Sequence, residues 1–309
     1  MSAAPSPPPV ALAVVAWNAR DLLAGCLASL EADELAGRAE VWVVDNASED
    51  GSAEMVSERF PRVRLVRSAE NLGYGRAVNL VARRTSSPWI AAVNQDVALG
   101  ADTLARLLRA GEEHPRAGVV VPRLLGPGGE VQHTAHAFPT LALTLAFNLG
   151  LGSLSPRLGD RLCLEGRWDP MRPRFVPWAI AALWLVRREA FAAAGGFDEA
   201  QWLHAEDVDL AWRMRAAGWG TWHEPAAVAE HAGSVSVRAA FGGTLEERYM
   251  AATYAWIGRR MGVSRARAVA AINLAGSAAR RLRDPGAARW VAIHRRALTA
   301  PRAELLRPR

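Results

Sequence analysis

Short apolar runs alternate with amphipathic segments along the first third of the chain. Apolar runs at 10–16, 41–44 and 89–93, and a shorter strand-like stretch at 63–66 that contains Arg64, are each followed by a segment with helical character, at 22–30, 52–60, 102–108 and 76–84 respectively. Continuous apolar runs of this length are typical of strands that are buried on both faces of a parallel sheet. The alternation predicts an α/β fold in which a mostly parallel sheet lies between two layers of helices.

Polar side chains follow three of these strands at the point where each strand ends. They are Asn18 after the first strand, Asp45 and Asn46 at the second, and Asn94 and Asp96 at the fourth. Because open α/β sheets bind ligands at the carboxyl ends of their strands, we expect these side chains to line one site. Asp96 is the candidate for holding a divalent cation against a diphosphate, since Mg²⁺ and Mn²⁺ prefer oxygen ligands. The alternative is that Asn94 and Asp96 only cap the turn into the next helix.

A second acidic cluster, Glu206-Asp207-Val208-Asp209, opens a later segment with helical spacing. Helix amides favour acids in a first turn, so a purely structural role is one interpretation. The other interpretation gives one carboxylate the role of general base, which takes a proton from an acceptor hydroxyl. Neighbouring like charges raise the pKa of a carboxyl group whereas the helix dipole lowers it, and the sequence leaves this balance open.

Three further features bear on a nucleotide site. The glycine-bearing turn at 71–75 lets backbone amides approach a phosphate or a ribose, although a plain left-handed turn also explains its glycines. The carboxylate of Asp45 can accept a hydrogen bond from the N3–H of uracil or thymine. His231 closes a predicted strand and is either a structural histidine or an additional metal ligand.

The remaining segments are predicted more coarsely. His133 and His136 lie in a segment without other ligand types, which indicates surface or loop histidines rather than a zinc site. The apolar segment 141–151 predicts a helix that either packs on the domain or touches a lipid surface. A long buried strand is predicted at 175–186, and two strand pieces at 218–222 and 225–231. The Ala- and Arg-rich remainder predicts helices that pack on the domain, with either a membrane-facing or a solvated outer face.

Composition narrows the class of protein. The chain has 309 residues, of which 50% are hydrophobic, enough for one large α/β domain with an appendage or for two domains. Its formal net charge is +6, and all of its basic side chains other than histidine are arginines, because the chain contains no lysine. This charge favours a protein surface that faces anionic lipids over a nucleic-acid-binding surface. Cys26 and Cys163 match no metal-ligand spacing. A flexible leader is predicted at 1–9 without a signal-peptide pattern, and no apolar run reaches membrane-spanning length, so we expect a cytoplasmic location, peripheral at most to the inner face of a membrane.

The order of these motifs carries a resemblance to a known family. The matching stretches are VVAWN at 14–18, VVDNASEDGS at 43–52, NLGYGRAVN at 71–79, NQD at 94–96, GGFDE at 195–199, EDVDL at 206–210, and His231. Together they resemble the family 2 glycosyltransferases with the GT-A fold, and within them the rhamnosyltransferase-like branch that builds bacterial cell-envelope polysaccharide. The resemblance covers 10–240 and implies a GT-A domain there, and the helical spacing of the Ala- and Arg-rich remainder predicts a basic helical C-terminal extension over 241–309.

The resemblance implies roles for residues on the nucleotide side. Those expected to bind the nucleotide sugar are Asn18, Asp45, Asn46, Asn71, Gly73, Asn79, Asn94 and Asp96. Asp45 is expected to contact the base. Asp96 is expected to bind the divalent metal, Mg²⁺ or Mn²⁺, with His231 reaching the metal or the diphosphate.

It also implies roles on the catalytic and acceptor side. Asp207 is expected to act as the catalytic base, with Glu206 supporting it. The residues expected to bind the acceptor are Trp202, His204 and Asp209. The chain departs from the usual pattern of the branch in three places, namely Gln95 for proline, His204 for an aromatic residue, and an altered small-residue pattern around Ala181. These departures leave the choice of acceptor open.

The predicted function is therefore an inverting sugar transfer without a covalent enzyme intermediate. The donor would be a nucleotide-diphosphate sugar, with dTDP-rhamnose as the first choice, and the acceptor a glycan or a lipid-linked sugar. The alternative is a non-catalytic protein that binds sugar nucleotides or glycans on the same fold. A nucleotidyltransferase is disfavoured because no glycine-rich triphosphate loop follows the first strand. No nucleic-acid partner is expected, and the oligomeric state stays open.

Overall fold

The computed structural model describes residues 8–151, 155–233, 242–282 and 284–307, so most of the predicted leader lies outside the described residues. The strands are β1 (Val10–Ala16), β2 (Ala39–Asp45), β3 (Arg64–Arg67), β4 (Trp89–Asn94), β5 (Val97–Leu99), β6 (Ala117–Leu125), β7 (Ala135–His136), β8 (Arg174–Val176), β9 (Trp178–Ala179), β10 (Leu183–Arg187) and β11 (Gly220–His231). The helices are α1 (Arg20–Leu35), α2 (Ser52–Arg59), α3 (Tyr74–Arg84), α4 (Thr103–Glu113), α5 (Leu141–Asn148), α6 (Pro156–Arg161), α7 (Arg188–Ala193), α8 (Glu206–Ala216), α9 (Leu245–Met261), α10 (Val263–Arg281), α11 (Ala288–Thr299) and α12 (Arg302–Leu305).

The central sheet has the order β3-β2-β1-β4-β10-β6-β11-β5, with β8 paired to β11. The first four strands of this order pair in parallel, as the apolar runs predict. Strand β10 is antiparallel to both of its neighbours, and β6 is parallel to β11. Strands β3, β2, β1, β4, β6 and β11 therefore all end at one edge of the sheet, and β10 begins there.

Three strands differ from the sequence-based prediction. The stretch 175–186 forms β8, β9 and β10 instead of one strand, because Pro177 has no N–H to continue a ladder. The two pieces predicted within 218–231 form the single strand β11, with an irregularity between Glu224 and Val228. Strand β5 is too short to leave a pattern, and it pairs with the end of β11 so that Val97 lies opposite His231.

Successive side chains of the central strands face opposite sides of the sheet. On one face, residues such as Val41 and Val43 pack with α1, α2 and α4. On the other, Trp42 and Val44 belong to a core that includes α3, α8, α9 and α10. Runs that are apolar at every position are thus explained by burial on both faces. This arrangement confirms the predicted three-layer α/β fold.

The C-terminal helices share the core of the sheet domain. Trp256 of α9 is fully buried in the same cluster as Val208 of α8. Its indole Nε1 donates to Asp209 Oδ1 at 3.0 Å, and Arg260 Nε donates to the same oxygen at 2.6 Å. Arg213 Nε donates to Asp209 Oδ2 at 2.7 Å. This buried network joins α8 to α9 across residue 240, where a boundary between domain and extension stays a prediction.

The longest described helices are α9 and α10, with 17 and 19 residues. Arginines interrupt the apolar residues of both helices. Within the described ranges, no helix combines the length and the hydropathy that crossing a bilayer requires.

We expect Asp209→Ala to lower the free energy of unfolding by about 3 kcal/mol, because it leaves two arginines and an indole N–H without their buried acceptor. Urea denaturation of the full chain measures this change. The matched control is Glu54→Ala, which removes an exposed partner of Arg67 at 2.8 Å and should change stability by less than about 1 kcal/mol. Equal effects of the two substitutions would show that the network does not support the fold.

Candidate functional site

The polar strand ends meet a cavity of about 470 Å³ at the carboxyl edge of the sheet. Its other walls come from the loop before α3, the segment before β10, the start of α8, and helices α9 and α11. The predicted site residues that line it are Asn46, Asn71, Gly73, Asn94, Asp96, Trp202, His204, Glu206 and Asp207. Two acids that are far apart in the sequence, Asp96 and Asp207, thus line one cleft.

The pairing of β5 with β11 brings His231 beside Asp96. The distance between His231 Nε2 and Asp96 Oδ1 is 3.5 Å, and both side chains are largely buried. His231 Nδ1 lies 2.8 Å from Gln132 Oε1, while Gln132 Nε2 donates to the main-chain oxygen of His231 at 2.8 Å. Because an amide oxygen only accepts, the ring proton belongs on Nδ1 and a lone pair remains on Nε2. Burial lowers the pKa of His231, which also favours the neutral ring.

The pair formed by His231 and Asp96 has the chemistry of a cation site. Within the described part of the chain, His231 Nε2 is buried and has no hydrogen-bond partner. A lone pair that faces a carboxylate oxygen is favourable only when a cation or a proton lies between them. Imidazole nitrogen and carboxylate oxygen both suit Mn²⁺.

Gln95 stands where the family that the motifs resemble usually has proline. Its Oε1 accepts from the Trp17 N–H at 2.8 Å, and its Nε2 donates to the Trp17 main-chain oxygen at 2.8 Å. This two-way contact ties the end of β4 to the end of β1, and proline is able to make neither bond. Glutamine at position 95 therefore lacks the rigid backbone of proline but adds two hydrogen bonds between strands that carry site residues.

The end of β2 presents buried acceptors. Asp45 is 4% exposed, and its Oδ2 accepts from the Ser48 N–H at 3.3 Å. Asp45 Oδ1 and Asn46 Oδ1 are buried and have no partner among the described residues. Asn18 is exposed and lies outside the cavity wall, where its Oδ1 accepts from the Glu49 N–H at 2.8 Å. Asn18 thus shapes the loop after β2. Asn46 lines the cavity and leaves an acceptor for a ligand N–H, whereas Asp45 is buried directly before it and outside the cavity wall.

The turn before α3 needs glycine at position 73. Gly73 has φ of 77°, and a Cβ there would lie 2.3 Å from the Trp202 main-chain oxygen. Asn71 Oδ1 accepts from the Gly73 N–H at 2.9 Å, and Trp202 Nε1 donates to the Asn71 main-chain oxygen at 3.1 Å. The close approach and the left-handed backbone both exclude a side chain at this position. The turn therefore packs Asn71 and Gly73, predicted to bind the nucleotide sugar, directly against Trp202, predicted to bind the acceptor.

Backbone strain is concentrated at the same edge. Four non-glycine residues there have positive φ, namely Asn18 at 46°, Ala47 at 59°, His204 at 65° and Ala205 at 63°. Left-handed backbone costs a residue with a side chain about 1–2 kcal/mol. Strain of this kind tends to cluster at functional sites. The pair His204 and Ala205 comes directly before the acidic start of α8.

Glu206 and Asp207 form a buried carboxyl pair with unequal surroundings. Asp207 Oδ1 accepts from the Val208 N–H at 2.7 Å, and Oδ2 accepts from the Ala181 N–H at 3.4 Å. Glu206 Oε2 is buried without a partner in the described ranges. Burial raises the pKa of Glu206, and the charge of Asp207 raises it further. Burial also raises the pKa of Asp207, although its backbone donors oppose the change.

Burial thus raises the pKa of both carboxyl groups, and it outweighs the backbone hydrogen bonds that lower it. Glu206 holds the proton of the pair, because Asp207 has the amide donors that stabilise a negative charge. Ala181, one of the departures from the family pattern, supplies one of these donors. A second departure, His204, contacts Tyr249 edge to face at a ring distance of 5.8 Å.

Two predicted site residues have other roles in the structure. Asp209, predicted to bind acceptor, is 1% exposed and does not line the cavity, because its carboxylate is occupied by the network described above. Asn79, predicted to bind the nucleotide sugar, also lies outside the cavity wall. Its Oδ1 accepts from the Phe197 N–H at 2.9 Å, and its Nδ2 donates to the Phe197 main-chain oxygen at 2.9 Å. Asn79 therefore fixes the loop formed by the GGFDE motif.

Several aromatic residues that line the cavity escaped the sequence analysis as site residues. They are Trp17, Tyr74, His136, Trp178, Tyr249 and Trp290. His136, predicted to be a surface or loop histidine, is half-buried in strand β7, where its ring lies 5.0 Å from that of Trp178 and burial lowers its pKa to about 4. Trp17 and Tyr74 lie within motif stretches at 14–18 and 71–79, whereas no local pattern marks the other four, which reach the cleft through tertiary packing.

Comparison with known proteins establishes the family. Residues 12–162 match the family model described as Glycosyl transferase family 2. An N-acetylglucosaminyl-diphospho-decaprenol L-rhamnosyltransferase from Mycobacterium tuberculosis is 35% identical over 204 residues, which cover 62% of this chain and 66% of that protein. The aligned region is just short of two thirds of the relative. The chain belongs to glycosyltransferase family 2 and is similar to a rhamnosyltransferase, which confirms the resemblance carried by the motifs.

Solved structures with the same fold extend over more of the chain. The mannosyltransferase PcManGT from Pyrobaculum calidifontis, in complex with GDP-Man and Mn²⁺, has a TM-score of 0.56 at 20% identity and covers 99% of this chain and 88% of its own. GalNAc-T7 with UDP, GalNAc and Mn²⁺ has a TM-score of 0.54 at 15% identity and covers 72% and 42%. These likenesses confirm the GT-A fold. Both neighbours contain Mn²⁺.

We expect Glu206→Gln to stabilise the protein in a pH-dependent way. A carboxyl group whose pKa is raised by folding stabilises the fold while it is protonated, and this contribution is lost as the pH rises through the raised pKa. At pH about 9 the variant should therefore exceed the wild type by about 1 kcal/mol or more, and at pH about 4 it should show no gain. Urea denaturation at both pH values measures the difference.

The matched control is Glu58→Gln, at an exposed glutamate of α2. It should give no pH-dependent gain. A gain for Glu206→Gln that is the same at both pH values would mean that the Glu206 carboxyl is not held protonated by its surroundings.

Proposed function

We propose that this protein transfers a sugar from a nucleotide-diphosphate donor to a glycan or lipid-linked acceptor, with inversion at the anomeric carbon. The observation that supports this most is that Asp96 and Asp207 line one cleft. Glycosyl transfer needs charge stabilisation on the leaving diphosphate and a base for the attacking hydroxyl. The two acids supply one group for each requirement.

Asp96 and His231 would hold a divalent cation, Mn²⁺ or Mg²⁺. The fit rests on the buried lone pair of His231 Nε2, which faces Asp96 Oδ1 at 3.5 Å. Among the described residues, no group of three or more His, Cys, Asp or Glu side chains is arranged to hold a metal. This agrees with cations that take one or two protein ligands and complete their shell with phosphate oxygens and water. A cation bound there would offset the charge that develops on the departing diphosphate.

Asp45 and Asn46 would bind the base of the donor. Their unpaired oxygens at the end of β2 suit the N3–H of a pyrimidine such as thymine or uracil. The loop that carries them is tied to Asn18, so the acceptors are held in place before the ligand arrives. A thymidine- or uridine-diphosphate sugar is therefore the proposed donor class, with dTDP-rhamnose as the first candidate because a related chain is a rhamnosyltransferase.

Asp207 would act as general base. The acceptor hydroxyl gives its proton to the Asp207 carboxylate while its oxygen bonds to the anomeric carbon, and the bond from this carbon to the diphosphate oxygen breaks. One displacement of this kind inverts the configuration and leaves a nucleoside diphosphate. A raised pKa makes Asp207 a better proton acceptor near neutral pH, and a protonated Glu206 adds no second charge beside it.

The acceptor side of the cleft is aromatic. Trp202, Tyr249 and Trp290 line it, and aromatic faces stack on the apolar faces of sugar rings. The relative from Mycobacterium tuberculosis is named for an acceptor of N-acetylglucosaminyl-diphospho-decaprenol. We extend this class of acceptor to the present chain and propose that it uses a lipid-linked sugar. The reaction would belong to cell-envelope polysaccharide synthesis, and the enzyme would be peripheral to the inner face of the membrane.

A screen of thymidine- and uridine-diphosphate sugars for donor turnover, with and without Mn²⁺, tests the proposal. We expect metal-dependent turnover of dTDP-rhamnose by the wild type. Asp207→Asn should lower kcat at least about a hundredfold with the donor KM within about threefold, because it removes the base but not the donor site. The control Asp102→Asn lies at an exposed position before α4 and should leave turnover unchanged. Donor binding with no turnover by the wild type would favour the non-catalytic alternative.

The metal site has a test that does not depend on turnover. Calorimetry of Mn²⁺ binding in the presence of dTDP should show at least about tenfold weaker affinity for Asp96→Asn and for His231→Gln. Binding of dTDP without metal should be retained. The matched control is His114→Gln, at the opposite edge of the sheet before β6. Unchanged Mn²⁺ affinity in both site variants would remove these residues from the proposed metal site.

A further inference from the structure

Helix α5 exposes its apolar side chains. Leu145 and Phe147 are 45% and 61% exposed, and Leu149, directly after the helix, is 68% exposed. Thr144 is the buried residue of this helix. A helix on the surface of a water-soluble domain normally shows the opposite arrangement, with its apolar face towards the core.

The inward side of α5 is fixed by polar contacts with α10. Asn148 Nδ2 donates to Asn273 Oδ1 at 2.8 Å, and Arg280 donates to Asn148 Oδ1 at 3.2 Å. Gly276 lies under Asn148, which occupies the space that a side chain there would need. Because these contacts set the rotation of α5 about its axis, the outward direction of its apolar side chains is built into the fold.

The basic end of α10 adjoins α5. Arg280 donates to Asn148 of α5, and Arg281 and Leu282 follow it, with Leu282 88% exposed. Neither α5 nor α10 contains an acidic residue. We name Leu145, Phe147, Leu149, Arg280, Arg281 and Leu282 the α5–α10 surface. Apolar side chains beside arginines are typical of protein surfaces that lie in the interface of an anionic bilayer.

Elements next to the α5–α10 surface also line the cleft. Strand β7, whose His136 lines the cavity, leads within a few residues to the start of α5. Helix α11 packs against α10 and contributes Trp290 to the cavity wall. The surface and the cleft wall are therefore connected through strand β7 and helix α11.

We propose that the α5–α10 surface docks the protein on an anionic lipid bilayer, so that a lipid-linked acceptor reaches the cleft from the membrane. The lipid-linked acceptor rests on the function proposed above, whereas the bilayer contact itself rests on the apolar and basic side chains. A second copy of this chain fits the surface less well, because a twofold contact would bring the arginines of two copies together.

Co-sedimentation of the full chain with vesicles tests the apolar part of the surface. Vesicles of phosphatidylglycerol and phosphatidylcholine should bind the wild type, and the triple variant Leu145→Ser, Phe147→Ser, Leu149→Ser should bind at least about tenfold more weakly. Its affinity for dTDP should be unchanged, which shows that the variant is folded. The matched control is Leu35→Ser, at a residue of α1 that is 62% exposed, and it should keep vesicle binding.

A further variant tests the basic part. Arg281→Ser should weaken binding to the anionic vesicles by about fivefold, and should not affect binding to pure phosphatidylcholine. The control Arg84→Ser changes the same charge at an exposed position of α3, and should have no effect beyond that of net charge.

Three results would overturn the proposal. They are equal vesicle binding by wild type and triple variant, absence of binding by the wild type, and a wild-type dimer that the triple variant alone abolishes. Vesicle binding that persists while no donor is turned over would remove the proposed enzymatic function and leave the membrane surface intact, so the two failures are distinguishable.

Discussion

The strands β1, β2, β4, β6 and β11 all point the same way, and this shared direction decides where chemistry is possible in the molecule. Parallel strands that are buried on both faces cannot carry polar side chains along their length. In β1, β2 and β4 the polar residues are therefore at or next to the strand ends, and the common direction brings the carboxyl ends to one edge. Asp45, Asp96 and His231 all lie at that edge for this reason, and His231 lies beside Asp96 although the two are distant in the sequence.

The same edge brings together groups that a folded chain normally keeps apart. Glu206 and Asp207 are buried side by side, His231 turns a lone pair towards Asp96, and His204 and Ala205 hold left-handed backbone. Each arrangement costs stability in the absence of a ligand. The cost is offset elsewhere, in the two apolar cores on the faces of the sheet. A site that is strained and short of hydrogen-bond partners is prepared to gain free energy when a charged ligand enters.

The C-terminal helices are part of the site rather than an appendage to it. Asp209 and Arg260 lock α9 to the helix that begins with the carboxyl pair, and Tyr249 of α9 reaches the cleft wall. Helix α10 in turn sets the rotation of α5 through Asn148. One continuous set of contacts thus runs from the carboxyl pair to the exposed apolar side chains of α5.

The sequence by itself determined the layered α/β fold, the polar strand ends and the family, because apolar periodicity and the order of short motifs are local properties. It also placed Asp96 and Asp207 on separate elements. Only the tertiary structure decided which polar residues share a cavity. Asn79 and Asp209 lie within motifs, yet their buried side chains make structural hydrogen bonds. Tyr249 and Trp290 line the cleft although they lie on helices that contain no motif. Whether a polar side chain makes structural hydrogen bonds or lines the cavity depends on the residues that pack around it. Those residues come from distant segments that the local sequence does not specify.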